Sequence, residues 1–294
     1  MKYYIGIDGG GTKTEFVLTD GNEKVINRIV KGGSNPNDIG IDACVNLLRE
    51  GIFELSRAYD KNNLYVFAGV SGAGVGENAK RLTQLLTKEY PNAKVASDLM
   101  NALEICLGDK DGLAVICGTG ISCCICKSGE LKTVGGYGYL FEDGGSGYAY
   151  GRDAVKAVLR AEDGIGPATI LTEYFYGNFN GSVRNALGEI LRGGKALVAS
   201  FCPFVFKGCT LGDKVSQEIV ERNLAFTVAI VKDALLVGGD IKKVSFIGGV
   251  SQQAIFRERI SKEFSGKYEV LFCDEKPVLG AVRKAIKERN ANES

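Results

Sequence analysis

The chain has 294 residues, and its 36 Lys and Arg against 35 Asp and Glu leave a net charge of +1. A near-neutral balance excludes nucleic acid or an anionic membrane held by overall charge, and this length predicts about two domains with ample buried core. No histidine is present, which excludes a Ser-His-Asp triad, a Cys-His pair and histidine-ligated zinc or haem, and leaves general-base work to a carboxylate, Lys, Tyr or Cys.

The opening Met1-Lys2-Tyr3-Tyr4-Ile5 runs straight into a strand without a signal-peptide pattern, and no apolar run reaches the length of a membrane span. Together these features predict a soluble, cytoplasmic protein whose partner is a small molecule, with no nucleic acid and no membrane. The nine cysteines then read as reduced thiols, several of them small hydrophobes on strands. Cys123, Cys124 and Cys126 suggest a metal site, but alternation along a strand sends neighbours to opposite faces.

In chain order, the first element is Tyr4-Ile5-Gly6-Ile7-Asp8-Gly9-Gly10-Gly11-Thr12-Lys13-Thr14-Glu15-Phe16, two apolar strands around a triple glycine. Gly10 and Gly11 let backbone N–H groups approach an anion, Thr12 adds a hydroxyl and Lys13 a charge, while Asp8 stands where a Mg²⁺ on nucleotide phosphates takes an oxygen ligand. The same residues also serve as a plain tight hairpin. A strand over 23–31 ends in Gly32-Gly33-Ser34-Asn35-Pro36-Asn37-Asp38, a polar turn. Helical periodicity over 41–59, a buried strand over 64–71 ending in Ser71-Gly72-Ala73-Gly74, and a helix over 77–90 suggest a sheet covered by helices.

Lys94-Val95-Ala96-Ser97-Asp98-Leu99-Met100-Asn101 places an acid at a strand end where a helix begins, so Asp98 is either a helix cap or a base for a hydroxyl. The pattern of strand, glycine turn and strand then recurs in Leu113-Ala114-Val115-Ile116-Cys117-Gly118-Thr119-Gly120-Ile121-Ser122, which implies an internal duplication. Each of these two turns leads into a strand, so neither is a Walker loop or a dinucleotide fingerprint. A Ser128-Gly129 turn precedes the glycine-dense loop Gly135-Gly136-Tyr137-Gly138-Tyr139-Leu140-Phe141-Glu142-Asp143-Gly144-Gly145-Ser146, whose aromatics and acids suit a carbohydrate. Helices follow over 146–162, 169–176, 185–191 and 211–237. A third glycine site, Ile247-Gly248-Gly249-Val250-Ser251, leads into a helix over 252–264, and the chain closes with a strand over 268–272 and a helix over 277–289.

Three glycine turns in this order resemble the sugar kinase, actin and heat-shock chaperone ATPase superfamily, and the loop after the second hairpin resembles N-acetylglucosamine kinases of the BadF/BadG-type ATPase family. The resemblance implies an α/β fold of two actin-like, ribonuclease H-like domains with ATP and sugar in the cleft between them. Its boundaries fall at 1–111, with a closing helix 280–294 packed back on that domain, and 112–279. ATP and Mg²⁺ are the implied cofactors and a homodimer the implied assembly. Asp8 would serve Mg²⁺. Gly10, Gly11, Thr12, Lys13, Gly118, Thr119 and Gly120 would hold phosphates, and Gly248, Gly249 and Ser251 would meet adenosine. Asp98 would be the base, with Asn35, Ser71, Gly136, Tyr137 and Asp143 on the sugar. The chain departs from the family pattern by Tyr137 where those kinases carry Trp, and by Gly144 where they carry Glu.

The activity so implied is phosphorylation of an amino sugar, N-acetylglucosamine or N-acetylmuramic acid, to the 6-phosphate. A glucosamine or other hexose kinase is the first alternative. An ATPase that activates a hydroxyacyl-CoA dehydratase through a cysteine-held four-iron cluster is the alternative of another class.

Overall fold

The computed structural model describes every residue except Asp143, Asn180 and Ser294. The chain divides into two compact units, residues 1–108 with 275–294 and residues 109–274. In the first unit, β1 (Tyr3–Gly9), β2 (Lys13–Thr19) and β3 (Val25–Gly32) form an antiparallel meander. Then come α1 (Pro36–Ile39), α2 (Ile41–Ser56), β4 (Leu64–Val70), α3 (Asn78–Leu86), β5 (Asn92–Ala96) and α4 (Leu99–Cys106). The sheet order is β3-β2-β1-β4-β5, with β4 parallel to both β1 and β5.

The second unit repeats the plan. Its meander is β6 (Gly112–Cys117), β7 (Ile121–Lys127) and β8 (Glu130–Gly135), followed by α5 (Gly147–Glu162), α6 (Leu171–Phe179), α7 (Val183–Ala199), α8 (Cys202–Thr210) and α9 (Lys214–Gly238). Last in this unit are β9 (Lys243–Ile247), α10 (Ala254–Phe264) and β10 (Glu269–Cys273). The order β10-β9-β6-β7-β8 is the first sheet's order read from the other edge. The duplication expected from the two glycine hairpins is therefore a duplication of whole sheets.

In the first unit both faces of the sheet are covered, which is why β4 is buried along its full length and reads as an unbroken apolar run. Ile5, Ile7, Phe16 and Leu18 pack with Leu48 and Ile52 of α2 on one face. On the other, Tyr4, Val17 and Phe67 pack with Val278, Ala281 and Val282 of the closing helix α11 (Pro277–Glu293). That contact needs Gly6 on β1, where a Cβ would lie 2.5 Å from the Val278 carbonyl oxygen.

Several elements depart from the sequence expectation, among them α7, which runs over Val183–Ala199 where 185–191 was expected. The strand β8 was not expected, because most of Glu130–Gly135 is exposed and shows no apolar alternation. The helix expected over 211–237 begins at Lys214, since Asp213 caps it by accepting the Ser216 N–H at 2.9 Å.

Candidate functional site

Parallel strands end together, so in the first unit the carboxyl ends of β1, β4 and β5 bring Gly9, Val70 and Ala96, and the residues after them, to one edge of the sheet. The turn between β1 and β2 is closed by the Gly10 N–H on the Lys13 carbonyl at 2.9 Å, leaving Gly11 and Thr12 exposed at its tip. The chain after β3 docks on this tip, where Ser34 N–H donates to the Gly10 carbonyl at 3.0 Å. Gly33 has no room for a side chain, as a Cβ there would lie 2.1 Å from the Gly11 carbonyl oxygen. Ser71, just past β4, donates its N–H to the Gly9 carbonyl at 2.7 Å.

Two carboxylates meet at this edge. Burial, helped by the charges of Asp98 and Glu15, pushes Asp8 up to about 6 against a hydrogen bond from Asn101 and the charge of Lys13. Asp98 is likewise raised by burial, although Ser97, the Leu99 N–H and Ser71 all donate to it. Its Oδ1 takes the Leu99 N–H at 3.0 Å and the Ser97 hydroxyl at 3.1 Å, so Asp98 does cap α4. The cap and the candidate base are the same carboxylate. Asp8 presents hard oxygen donors that gain from a nearby cation, a donor chemistry that suits Mg²⁺.

Beside them, Asn35 caps α1 by accepting the Asn37 N–H at 3.0 Å. The turn after β4 runs under both residues. Gly72 has φ +79°, and a Cβ there would lie 2.1 Å from Asn35 Oδ1 and 2.6 Å from Asn37 Nδ2. Asn78 Nδ2 ties the group together, donating to Asn37 Oδ1 at 3.1 Å and to the Gly72 carbonyl at 3.1 Å. Asp8, the residues from Gly10 to Lys13, Asn35, Ser71 and Asp98 thus share one edge of one unit.

In the second unit the hairpin turn closes through the Gly118 N–H on the Gly120 carbonyl at 2.9 Å, with Thr119 and Gly120 exposed. The first turn of α5 is spent on the hairpin and on its own cap. Gly147 and Tyr148 donate to the Gly118 and Thr119 carbonyls at 2.8 and 3.2 Å, and Ala149 donates to Ser146 Oγ at 3.1 Å. The third glycine turn locks against the same hairpin: Val250 N–H donates to the Cys117 carbonyl at 3.0 Å, and at Gly248 (φ +115°) a Cβ would lie 2.4 Å from that oxygen. Ser251 Oγ closes the turn on the Gly248 carbonyl at 2.8 Å, while the space over Gly249 is open. Gly118, Thr119, Gly120, Gly248, Gly249 and Ser251 therefore form one backbone platform.

The glycine-dense loop rests on α9. Gly136 has φ +77°, Tyr137 is exposed, and the Tyr137 N–H donates to Glu142 Oε1 at 2.8 Å, folding the loop on itself. Further on, Gly145 N–H donates to the buried Asn223 Oδ1 at 2.9 Å, and Asn223 Nδ2 donates to Asp153 at 3.1 Å. At Gly144 a Cβ would lie 3.1 Å from the Phe226 Cβ, so Phe226 and Asn223 take the space that a larger residue at 144 would need. Asp143 lies outside the described residues.

Sequence reasoning missed Asn37, Asn78 and Asn101 in the first unit, and Glu142 in its role as a loop tie, Asn223 and Asp153 in the second. A usable signal existed for Asn101, a polar residue one turn past Asp98 in a helix whose other residues, Glu104 apart, are apolar. Cys123 and Cys126, three residues apart on β7, lie on opposite faces of the strand, and burial pushes the Cys123 thiol up to about 12. Among the described residues no group of three or more Cys, Asp and Glu is placed to hold a metal ion.

An N-acetyl-D-glucosamine kinase of Dictyostelium discoideum is 28% identical to the chain, over 97% of this chain and 98% of that protein. An N-acetylmuramic acid/N-acetylglucosamine kinase of Clostridium acetobutylicum is 30% identical over 85% of this chain and 86% of that protein. A crystal structure described as a candidate N-acetylglucosamine kinase from Chromobacterium violaceum superposes with a TM-score of 0.78 at 21% identity, covering 97% of this chain and 99% of that one. That likeness identifies the two five-stranded sheets as the two actin-like domains that the resemblance implied. The chain matches the BadF/BadG/BcrA/BcrD ATPase family over residues 5–285, and it belongs to that family.

Proposed function

We propose that the chain is an ATP-dependent amino-sugar kinase that phosphorylates N-acetylglucosamine, N-acetylmuramic acid or both at the 6-hydroxyl. The observation that carries this reading is the pair of raised carboxylates, Asp8 and Asp98, at the strand edge that also presents the first glycine turn. Asp98 takes the proton of the sugar hydroxyl as that oxygen attacks the γ-phosphorus; the bond from phosphorus to the β,γ-bridging oxygen breaks and ADP leaves. Burial raises the Asp98 pKa, which makes the carboxylate a better proton acceptor. Ser71 and Ser97 orient it.

Asp8 would hold Mg²⁺, which when bound neutralises charge on the phosphates. Gly10, Gly11, Thr12 and Lys13, and likewise Gly118, Thr119 and Gly120, would be the phosphate-binding residues. Gly248, Gly249 and Ser251 face adenosine, and Asn35, Ser71, Gly136, Tyr137 and Asp143 meet the sugar. Among the described residues no helix is long and apolar enough to cross a membrane, and the reading takes the protein as a cytoplasmic homodimer.

ADP release with Mg-ATP tests the reading, measured against N-acetylglucosamine, N-acetylmuramic acid, glucosamine, N-acetylmannosamine and glucose, beside Asp98→Asn. Turnover with an N-acetylated sugar that is lost in the variant supports it; turnover with glucosamine or glucose instead moves the substrate class. The dehydratase-activator alternative is disfavoured by the buried Cys117, Cys123 and Cys124 on the hairpin strands, which lack the exposure a bridging cluster needs.

A further inference from the structure

Asn101 is fully buried, and its amide is aimed at the end of β1. Nδ2 donates to the Ile7 carbonyl at 3.1 Å and to Asp8 Oδ1 at 2.9 Å, two acceptors that fix which end of the amide points there. Its own Oδ1 is buried without a hydrogen-bond partner. Two neighbours lack side chains where the residue sits: a Cβ on Gly69 would lie 2.3 Å from the amide atoms, and one on Gly280 would lie 2.1 Å from the Asn101 carbonyl oxygen. Burying an unsatisfied oxygen is unfavourable, and an apolar side chain of similar size would avoid it.

The gain must lie in what the amide holds. Asn101 is one turn into α4, its N–H donating to the Asp98 carbonyl at 3.1 Å, so a single helical turn carries both the candidate base and the donor to Asp8. Asp8 Oδ2 takes no hydrogen bond from the described residues, whereas Oδ1 is held by Asn101.

We infer that Asn101 is a positioning residue that fixes Asp8 with one carboxylate oxygen turned to the metal and keeps Asp8 in register with Asp98. This rests on the kinase reading in one respect, that Asp8 serves a divalent cation. Its side-chain partners are a backbone carbonyl and a carboxylate of the same unit.

Manganese(II) binding in the presence of ADP, followed by electron paramagnetic resonance of the free ion, tests the inference on the full-length protein. The variants are Asn101→Ala, the more space-filling Asn101→Leu, and Gly69→Ala, which displaces the amide without removing it. The expected result is a manganese affinity weakened about 10- to 100-fold in all three, with ADP affinity measured in EDTA unchanged and a circular dichroism spectrum like that of the parent. Manganese affinity equal to the parent's in the folded variants overturns the inference. So does an equal loss of ADP affinity in EDTA, which marks a general structural defect. If the parent itself binds no manganese with ADP, the metal role of Asp8 fails, and the inference fails with it. Loss confined to the variants cannot be mistaken for that outcome.

Discussion

Asp98 and Asp8 share an environment but are expected to answer differently to the same change. Asp98→Asn keeps the cap geometry and removes the proton acceptor, so turnover is expected to fall by about 10²- to 10⁴-fold with sugar and ATP affinities nearly unchanged. Because the Asp98 pKa is raised, kcat/KM is expected to decline on the acid side at a pH above the ordinary carboxylate range, which a pH–rate profile checks. Asp8 bears on stability. Its carboxyl titrates at about 6 in the fold against 3.8 for the free group, so the folded state holds the proton more tightly than the unfolded chain does. That stabilisation is complete below 3.8 and is lost as pH rises through about 6. In metal-free buffer at pH 8, Asp8→Asn is therefore expected to be more stable than the parent by on the order of 3 kcal/mol. Thermal melts should show the difference closing on acidification.

At the scale of elements, the turns carry more information than the strands they join. Gly72 combines a positive φ with a space already filled by Asn35 and Asn37, so Gly72→Ala strains the backbone and displaces the capping amide together. The expected cost is about 1–3 kcal/mol in stability, with a rise in sugar KM larger than the rise in ATP KM, read from steady-state kinetics. The phosphate hairpins were legible because a glycine cluster between two apolar strands is a local pattern. The strand β8 was not, since its pairing with β7 supplies the hydrogen bonds while its side chains stay largely in solvent. The ends of α7, α8 and α9 were blurred because one amphipathic stretch follows another, although Ser182 and Asp213 cap α7 and α9 and a non-helical Gly194 interrupts α7.

At the scale of the molecule, the nine cysteines separate the kinase from a redox protein. Six of them, Cys44, Cys106, Cys117, Cys123, Cys124 and Cys202, are buried, and burial pushes Cys44 and Cys124 up to about 11 and Cys202 up to about 12. A disulfide-exchange reagent under native conditions is expected to label the partly exposed Cys126, Cys209 and Cys273 and to reach the other six after unfolding, with labelled peptides identified by mass spectrometry. Rapid native labelling of the buried Cys117, Cys123 or Cys124 would revive the activator alternative.

The sequence by itself determined the duplicated modules of strand, glycine turn and strand, the acids at strand ends and the absence of any histidine base, because these are patterns along the chain. Tertiary structure decided that Asn101 holds Asp8 across 93 residues of sequence, that Phe226 and Asn223 crowd Gly144, and that Asn78 anchors Asn37 beneath the candidate sugar site. Those pairings are made through space between residues that no periodicity relates, and they become definite only when strand ends meet at the sheet edge in the first unit and the glycine-dense loop packs on α9 in the second.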